Sequence, residues 1–257
     1  MLFRPLPDGS ALAVSQPAHA WISGQLARAW GGPVAGRERL DEIFILAAAQ
    51  HDIGWLPWEA APTRDPATGR PHSFVALPRA AHTALWSAGV TTAEACYGPH
   101  VALLISLHGL AIYGLIPDEA RAPDDLAAVR RFRAEQEAVQ ARLRAAVAAT
   151  AAEIADQSAI LLALDLISLV VCGTMGRAPR RTPPVPLAGG GMPLSLAFAG
   201  EGWDRLVVDP WPFRDASVTV ECVARHLPPA GFADEVTMRH GLRTLPPVRI
   251  RATLLRG

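Results

Sequence analysis

An adjacent histidine and aspartate, His51-Asp52, close an apolar stretch that starts at Ala47, where polar side chains are costly to bury without a partner. Imidazole nitrogens and carboxylates are ordinary ligands for first-row divalent metals, and a carboxylate set between two ions can bridge them. Further ligand types sit in separate apolar stretches on either side: His19, His82, His108 and Asp165. Asp165 is the only ionisable residue between Ala159 and Val171. A lone buried charge there is strongly destabilising, so an ionic partner or a metal is expected. Other readings stay open for the histidines. His19 also fits an exposed helix start, and His82, one turn before Trp86, also fits a packed core imidazole. His108 is preferred to His100 because Leu103, Leu104, Ile105 and Leu107 surround it, whereas His100 follows Gly98-Pro99. His226 and His240 read as structural or exposed.

The elements that must position these residues follow from periodicity and punctuation. Asp8-Gly9 between Met1–Arg4 and Ala11–Val14 predicts a short β-hairpin. Ser15 and Pro17 open a helix over Ala18–Trp30, and a second runs from about Glu38 to His51. Leu56–Pro71 reads as a long ordered loop, and the stretch from Trp55 to Phe74 is expected to wall a substrate pocket because it leaves the His-Asp pair directly. Helical pattern returns over Phe74–Ala88, stops at Gly89, restarts at a capping box over Thr91–Glu94 and runs to Tyr113. Two more helices follow, Asp124 to about Thr150 and the apolar run that holds Asp165. After a Pro- and Gly-rich segment, alternating runs at Leu194–Phe198, Arg205–Val208, Ser217–Val223, Glu235–Met238 and Val248–Leu255 predict an antiparallel sheet.

Composition narrows the function. The chain has 257 residues, half of them apolar, with balanced charge and no long block of like charge, which argues against nucleic acid or an anionic membrane as a partner. Neither a basic leader nor an uninterrupted membrane-length apolar run is found, so a cytoplasmic protein is expected. Cys96, Cys172 and Cys222 lie far apart in apolar surroundings and read as buried thiols. The chain has no lysine, which removes Schiff-base chemistry and the phosphate-loop lysine.

The order His19, His51-Asp52, His82, His108, Asp165 resembles the HD-domain superfamily of metal-dependent phosphohydrolases, whose ligands run H…HD…D, with two further histidines between where a second metal binds. The strings Gln16-Pro17-Ala18-His19-Ala20, His51-Asp52-Ile53-Gly54-Trp55, Thr68-Gly69-Arg70-Pro71 and Asp165-Leu166-Ile167-Ser168-Leu169 look like an uncharacterised bacterial family within or near that superfamily. The resemblance covers roughly the first 175 residues and implies a mainly α fold: an HD-like helical metal-binding domain over 1–175, including the N-terminal hairpin, with a small antiparallel β region over 185–257 packed on it. It further implies one or two divalent transition metal ions (Fe, Mn or Zn) held by His19, His51, Asp52, His82, His108 and Asp165. Asp52 would then bridge the ions and be catalytic in water attack on a phosphate ester. Arg70, His72 and Arg79, in or next to the loop, are candidates for gripping a small anionic substrate. Two alternatives use the same ligands: a non-haem di-iron oxygenase, or a metal-stabilised binding or sensor module without catalysis.

Overall fold

The computed structural model describes residues 1–257. Leu2–Pro5 (β1) and Ala11–Val14 (β2) pair as an antiparallel hairpin whose turn places Gly9 at φ 81°, a conformation that suits glycine. Ser15 caps Gln16–Ala29 (α1) by accepting from the Ala18 N–H at 3.2 Å, with Pro17 in the first turn. Asp41 does the same for Glu42–Gln50 (α2) through the Phe44 N–H at 2.8 Å. The second helix is therefore shorter at its start than expected, and His51 terminates it. A 3-10 turn over Ile53–Trp55 and one short helix, Leu56–Ala60 (α3), lead into the loop.

The next break falls later than expected. Arg79–Tyr97 (α4) runs unbroken through Gly89 and the supposed capping box, and stops at Gly98, whose φ of 88° ends the helix just before Pro99–Gly114 (α5). Gly89 serves close packing instead, because it faces Gly54 of the turn that follows the His-Asp pair. A Cβ on Gly54 would lie 2.0 Å from the Leu85 carbonyl oxygen and 2.8 Å from the Gly89 nitrogen. Pro123–Arg144 (α6) packs over α4 and α5, and Ala151–Cys172 (α7) follows behind a Thr150/Glu153 capping box.

On length and composition α7 could cross a membrane, yet 61% of its most apolar window is buried inside the fold. It is the central helix of a globular chain. Its end is tied to the hairpin: the Arg4 side chain donates to the Val171 carbonyl at 2.5 Å and the Cys172 carbonyl at 3.2 Å, satisfying two acceptors that a helix C-terminus leaves free.

The strands that follow are Arg180–Arg181 (β3), Val185–Leu187 (β4), Gly190–Met192 (β5), Ser195–Phe198 (β6), Arg205–Asp209 (β7), Ser217–Leu227 (β8) and Pro247–Arg256 (β9), with the helix Glu235–Thr244 (α8) between the last two. β4 and β5 form a separate hairpin, and the other seven make one sheet ordered β1-β2-β8-β9-β7-β6-β3. All its pairings are antiparallel except β7 with β9. Alternation makes it one-sided. Val218, Val220, Cys222 and Ala224 of β8, with Ile250, Ala252 and Leu254 of β9, are buried, while Thr219 and Val223 between them are exposed. Against this sheet lies α1, where Gln25 treats β8 as a neighbouring strand would: it donates to the Glu221 carbonyl at 2.8 Å and accepts the Glu221 N–H at 3.0 Å.

The architecture corrects the expected fold class. The chain is 49% helix and 20% strand, and its large mixed sheet replaces the mainly α bundle with a small antiparallel β region. The physical reason is long-range pairing: β2 aligns with β8 through Ala11 opposite Leu227, so the N-terminal hairpin extends the C-terminal sheet. A single cluster of 48 buried apolar residues runs through helices and sheet alike. Glu235–Met238, expected as a strand, starts α8 because Asp234 caps it through the Thr237 N–H at 2.8 Å. Cys172 and Cys222 are buried as expected, but Cys96 is exposed near the end of α4.

The Gly54 contact yields a stability test. Gly54→Ala should cost about 2–3 kcal/mol, the scale of a core overpacking that the backbone must absorb. Gly189→Ala, where nothing lies within 4 Å of the added carbon, should change stability by less than about 0.5 kcal/mol. Urea denaturation midpoints of the two variants check this directly.

Candidate metal centre

Four helices and one turn deliver five buried polar side chains to a single point. His19 comes from the first turns of α1, His51 from the end of α2, Asp52 from the turn after it, His108 from α5 and Asp165 from α7. His19, His51 and Asp165 form a compact group whose ligand atoms all lie within 4.8 Å of one another. The two oxygens of Asp165 face different ways. Oδ1 is 3.5 Å from His51 Nε2 and 3.6 Å from His19 Nδ1, while Oδ2 is 3.4 Å from His108 Nε2. Asp52 adds a second carboxylate, with Oδ2 at 2.6 Å from His19 Nε2 and 3.7 Å from His51 Nε2.

Hydrogen bonding fixes which nitrogens are free. Nδ1 of His51 lies 2.9 Å from the Ala48 carbonyl, which can only accept, so Nδ1 carries a proton and Nε2 is the lone-pair nitrogen of the neutral ring. Nε2 has no hydrogen-bond partner although it is buried, and both ring nitrogens of His108 are in the same position. For His19, the Ser168 hydroxyl already donates to the Asp165 carbonyl at 2.7 Å, so it accepts from Nδ1–H of His19 at 2.8 Å. Nε2 of His19 then meets a carboxylate oxygen, and either a proton or a cation must lie between them.

These observations fit a metal ion. About 2.1 Å ligand bonds in a tetrahedron put neighbouring donor atoms roughly 3.3 Å apart, close to the 3.4–3.7 Å found around Asp165 and His51. The 2.6 Å contact of His19 Nε2 with Asp52 is shorter than such an edge: a proton lies between them in the metal-free protein, and it must leave before Nε2 can take an ion. The Ala48 carbonyl and the Ser168 hydroxyl are outer partners of the kind that hold ligating imidazoles in one tautomer. The chain thus contains a buried His-His-Asp group able to hold a metal ion.

Electrostatics within the protein alone point the same way. Burial would lower the pKa of His51, but the Asp52 and Asp165 carboxylates outweigh it and push it up to about 9. Burial would raise Asp165, and His108 and His51 overcome it, holding that carboxyl well below its ordinary range. His108, dominated by burial, is lowered.

The cluster forms one wall of a cavity of about 180 Å³ whose other walls are largely apolar, among them Trp55, Phe74, Trp86, Leu162, Leu166 and Leu169. His82 lines this cavity but stands outside the ligand group. Its Nδ1 is hydrogen-bonded to the Tyr113 hydroxyl, its ring packs edge-on against Trp55 at 4.9 Å, and burial pushes its pKa down to about 4. His100 stands outside both the cluster and the cavity lining: it bonds Gln157 at 2.8 Å, and Gln157 in turn bonds Asp41, the cap of α2.

The three residues expected to grip substrate do not reach the cavity. Arg70 donates to the carbonyls of Gly9, Pro228 and Pro229. Arg79 donates to the Val75 carbonyl and lies 4.0 Å from Asp125. His72 is tied through its backbone to Thr63 and Met1. Only the ends of the expected wall, Trp55 and Phe74, line the cavity; the middle folds onto the C-terminal region, where Phe232 N–H donates to Gly69 O at 2.8 Å and Arg64 Nε to Phe232 O at 2.8 Å. Sequence reasoning missed the lining residues Gln16, Leu162, Leu166 and Leu169. The α7 members lie three or four residues from Asp165, or directly beside it, a spacing that could have been used to find two of them.

The chain belongs to the family described as "Protein of unknown function (DUF3891)", whose profile matches residues 1–229. That span holds all five clustered residues and ends before α8 and β9. No curated protein and no solved structure was found to match the chain.

Two pH dependences follow for the cluster. In metal-free protein, His51 has a folded pKa raised to about 9 from 6.5. Its contribution to stability is therefore complete below about pH 6.5 and lost as pH rises through 9, up to roughly 3 kcal/mol. Denaturation midpoints of chelator-treated wild type should fall across this window, and the fall should flatten in His51→Gln. Metal affinity should run the other way, rising over the same window, because the ion displaces the proton. Titration with Zn²⁺ at pH 6.5 and pH 8.5 measures it.

Proposed function

We propose that the chain is a metal-dependent hydrolase of the HD-domain type acting on a phosphate ester. The observation that carries this reading is that the His19–His51–Asp165 group opens onto a cavity instead of being closed off by protein on every side. An open coordination position is what distinguishes catalytic from purely structural sites. Bound there, a divalent ion would supply Lewis acidity, lowering the pKa of a coordinated water to about 7 and offsetting charge on the phosphoryl group.

The chain's own residues divide the remaining work. His19, His51 and Asp165 are the ligands, and His108 sets the orientation of Asp165 from its far oxygen. Asp52, whose oxygen is released from His19 Nε2 when that nitrogen turns to the ion, is the group placed to take the proton from the attacking water. His82 is held by Tyr113 through Nδ1, so Nε2 is the nitrogen left to meet the leaving group. Water oxygen bonds to phosphorus, the P–O bond to the organic group breaks with its electron pair, and the water's proton ends on the leaving oxygen. One ion is the expected stoichiometry, because His19, His51 and Asp165 form one group of mutually close ligand atoms and His82 stands outside it. The metal is Mn, Fe or Zn, all of which suit imidazole and carboxylate donors. A cytoplasmic setting is in keeping with three free cysteines.

A second reading, a non-haem iron oxygenase, draws support from the apolar walls of the cavity, which suit an organic substrate. Metal loading separates the two. Protein purified without chelator should carry about one first-row metal per chain, and Asp165→Asn should lose it while its circular dichroism is retained. Anaerobic reconstitution with Mn²⁺ should give phosphate-ester turnover, reduced at least about a hundredfold in Asp52→Ala with metal content kept, the scale of a lost general base. Strict dependence on iron and O₂, with no ester cleaved under Mn²⁺, would assign the site to the oxygenase.

A further inference from the structure

The cavity beside the cluster carries information on what it admits. Its lining contains no arginine, and the chain has no lysine, so nothing cationic other than a metal and its histidines faces the contents. A dianionic phosphate or a polyphosphate buried there would meet no compensating side chain, and uncompensated charge in an apolar enclosure is heavily penalised. Outside the cluster the lining is apolar apart from Gln16 and His82, and the indole Nε1 atoms of Trp55 and Trp86 and the Gln16 Oε1 are buried away from the open space. Size adds a second limit. A dry cavity of about 150 Å³ accommodates one benzene molecule, so about 180 Å³ holds a single ring with little to spare, and a nucleoside would have to project through the cavity's open side.

We infer that the site takes a small ester whose organic group is apolar and about the size of one six-membered ring, and whose reacting group bears no more than one negative charge. Trp55, Trp86 and Leu166 enclose the ring. The inference rests on the hydrolase reading for its chemistry but not for its ligand class. A monoanionic phosphodiester with one small substituent is therefore favoured over the phosphomonoester of the same alcohol, and both over a nucleotide ester.

Three chromogenic substrates with one leaving group isolate charge and size: methyl 4-nitrophenyl phosphate, 4-nitrophenyl phosphate and the 4-nitrophenyl ester of thymidine 5′-phosphate. With Mn²⁺-loaded protein, kcat/KM for the methyl ester should exceed that of each of the others by at least about tenfold, a transition-state difference of about 1.4 kcal/mol. Leu162→Arg, which places a cation in the wall one turn from Asp165, should shift the preference toward the dianion while metal content is unchanged. Equal or greater turnover of the dianion or the nucleotide ester by wild type would overturn the inference and leave the hydrolase reading standing. Binding is measured separately, through tryptophan fluorescence of Mn²⁺-loaded protein titrated with the non-hydrolysable methyl phenylphosphonate and with phenylphosphonate. If no ester turns over but the monoanion binds at least about tenfold more tightly, the ligand class holds and the hydrolase reading falls. No turnover with no binding of either phosphonate overturns both.

Discussion

A carboxylate buried in the middle of an apolar helix is the constraint that organises this chain. Asp165 has no hydrophobic use on α7, and leaving its charge unpaired would cost more than most single contacts in the fold provide. Its two oxygens are met from opposite sides, by His51 and His19 at Oδ1 and by His108 at Oδ2. Three other helices are thereby tied to one point on α7. All three imidazoles are buried, and those of His51 and His108 have uncommitted nitrogens, so the polar cluster remains incomplete with protein groups alone. The same incompleteness that makes it costly as a piece of core makes it suitable as a metal site.

The rest of the fold holds α7 and its partners in register. Arg4 of β1 anchors the C-terminal end of α7 through two carbonyls, and β1 is the outer strand of the sheet. On β8, an inner strand of the sheet, Gln25 fastens α1 by a two-point hydrogen bond six residues after His19. The sheet therefore reaches the cluster twice, through α1 and through α7. Gly54 completes the arrangement by letting the turn after Asp52 approach α4 more closely than any other residue type permits. Sheet and cluster are parts of one packed body, which is why the hairpin and the C-terminal strands, distant in sequence, are both needed for the site's geometry.

The legible and illegible parts of this chain divide along range of interaction. Helix boundaries set by local chemistry were readable where a side chain caps the backbone, as at Ser15, and misread where a motif competes with packing: the capping-box pattern at Thr91–Glu94 lies inside α4, with Thr91 bonded back to Ser87 and Glu94 paired to Arg142. Strand alternation in β8 and β9 was visible, but the pairing of β2 with β8 and the parallel β7–β9 contact depend on residues far apart, and periodicity contains no term for them. Hence a mixed sheet was taken for a small appendage to a bundle. The residues of the cluster were legible because a buried charge is anomalous wherever it occurs. The role of each was not, since Asp52 and Asp165 look alike in sequence, and only geometry puts Asp165 between the histidines.

The arginines show why charge near a site in sequence is a poor guide to charge in the site. Arg70 and Arg79 flank a loop that leaves the His-Asp pair, yet both guanidinium groups are spent on backbone carbonyls. A long loop must satisfy its own and its neighbours' polar backbone, and arginine, with five donors in a rigid fork, does this well. Catalytic use would require the same donors to be left free. Cationic reach and loop integrity thus compete for one side chain, and here the loop wins, leaving a cavity whose polarity comes from the cluster, Gln16 and His82 alone. Any charge its contents carry must then be balanced at the cluster itself, which makes the metal and the choice of ligand a single problem in electrostatics.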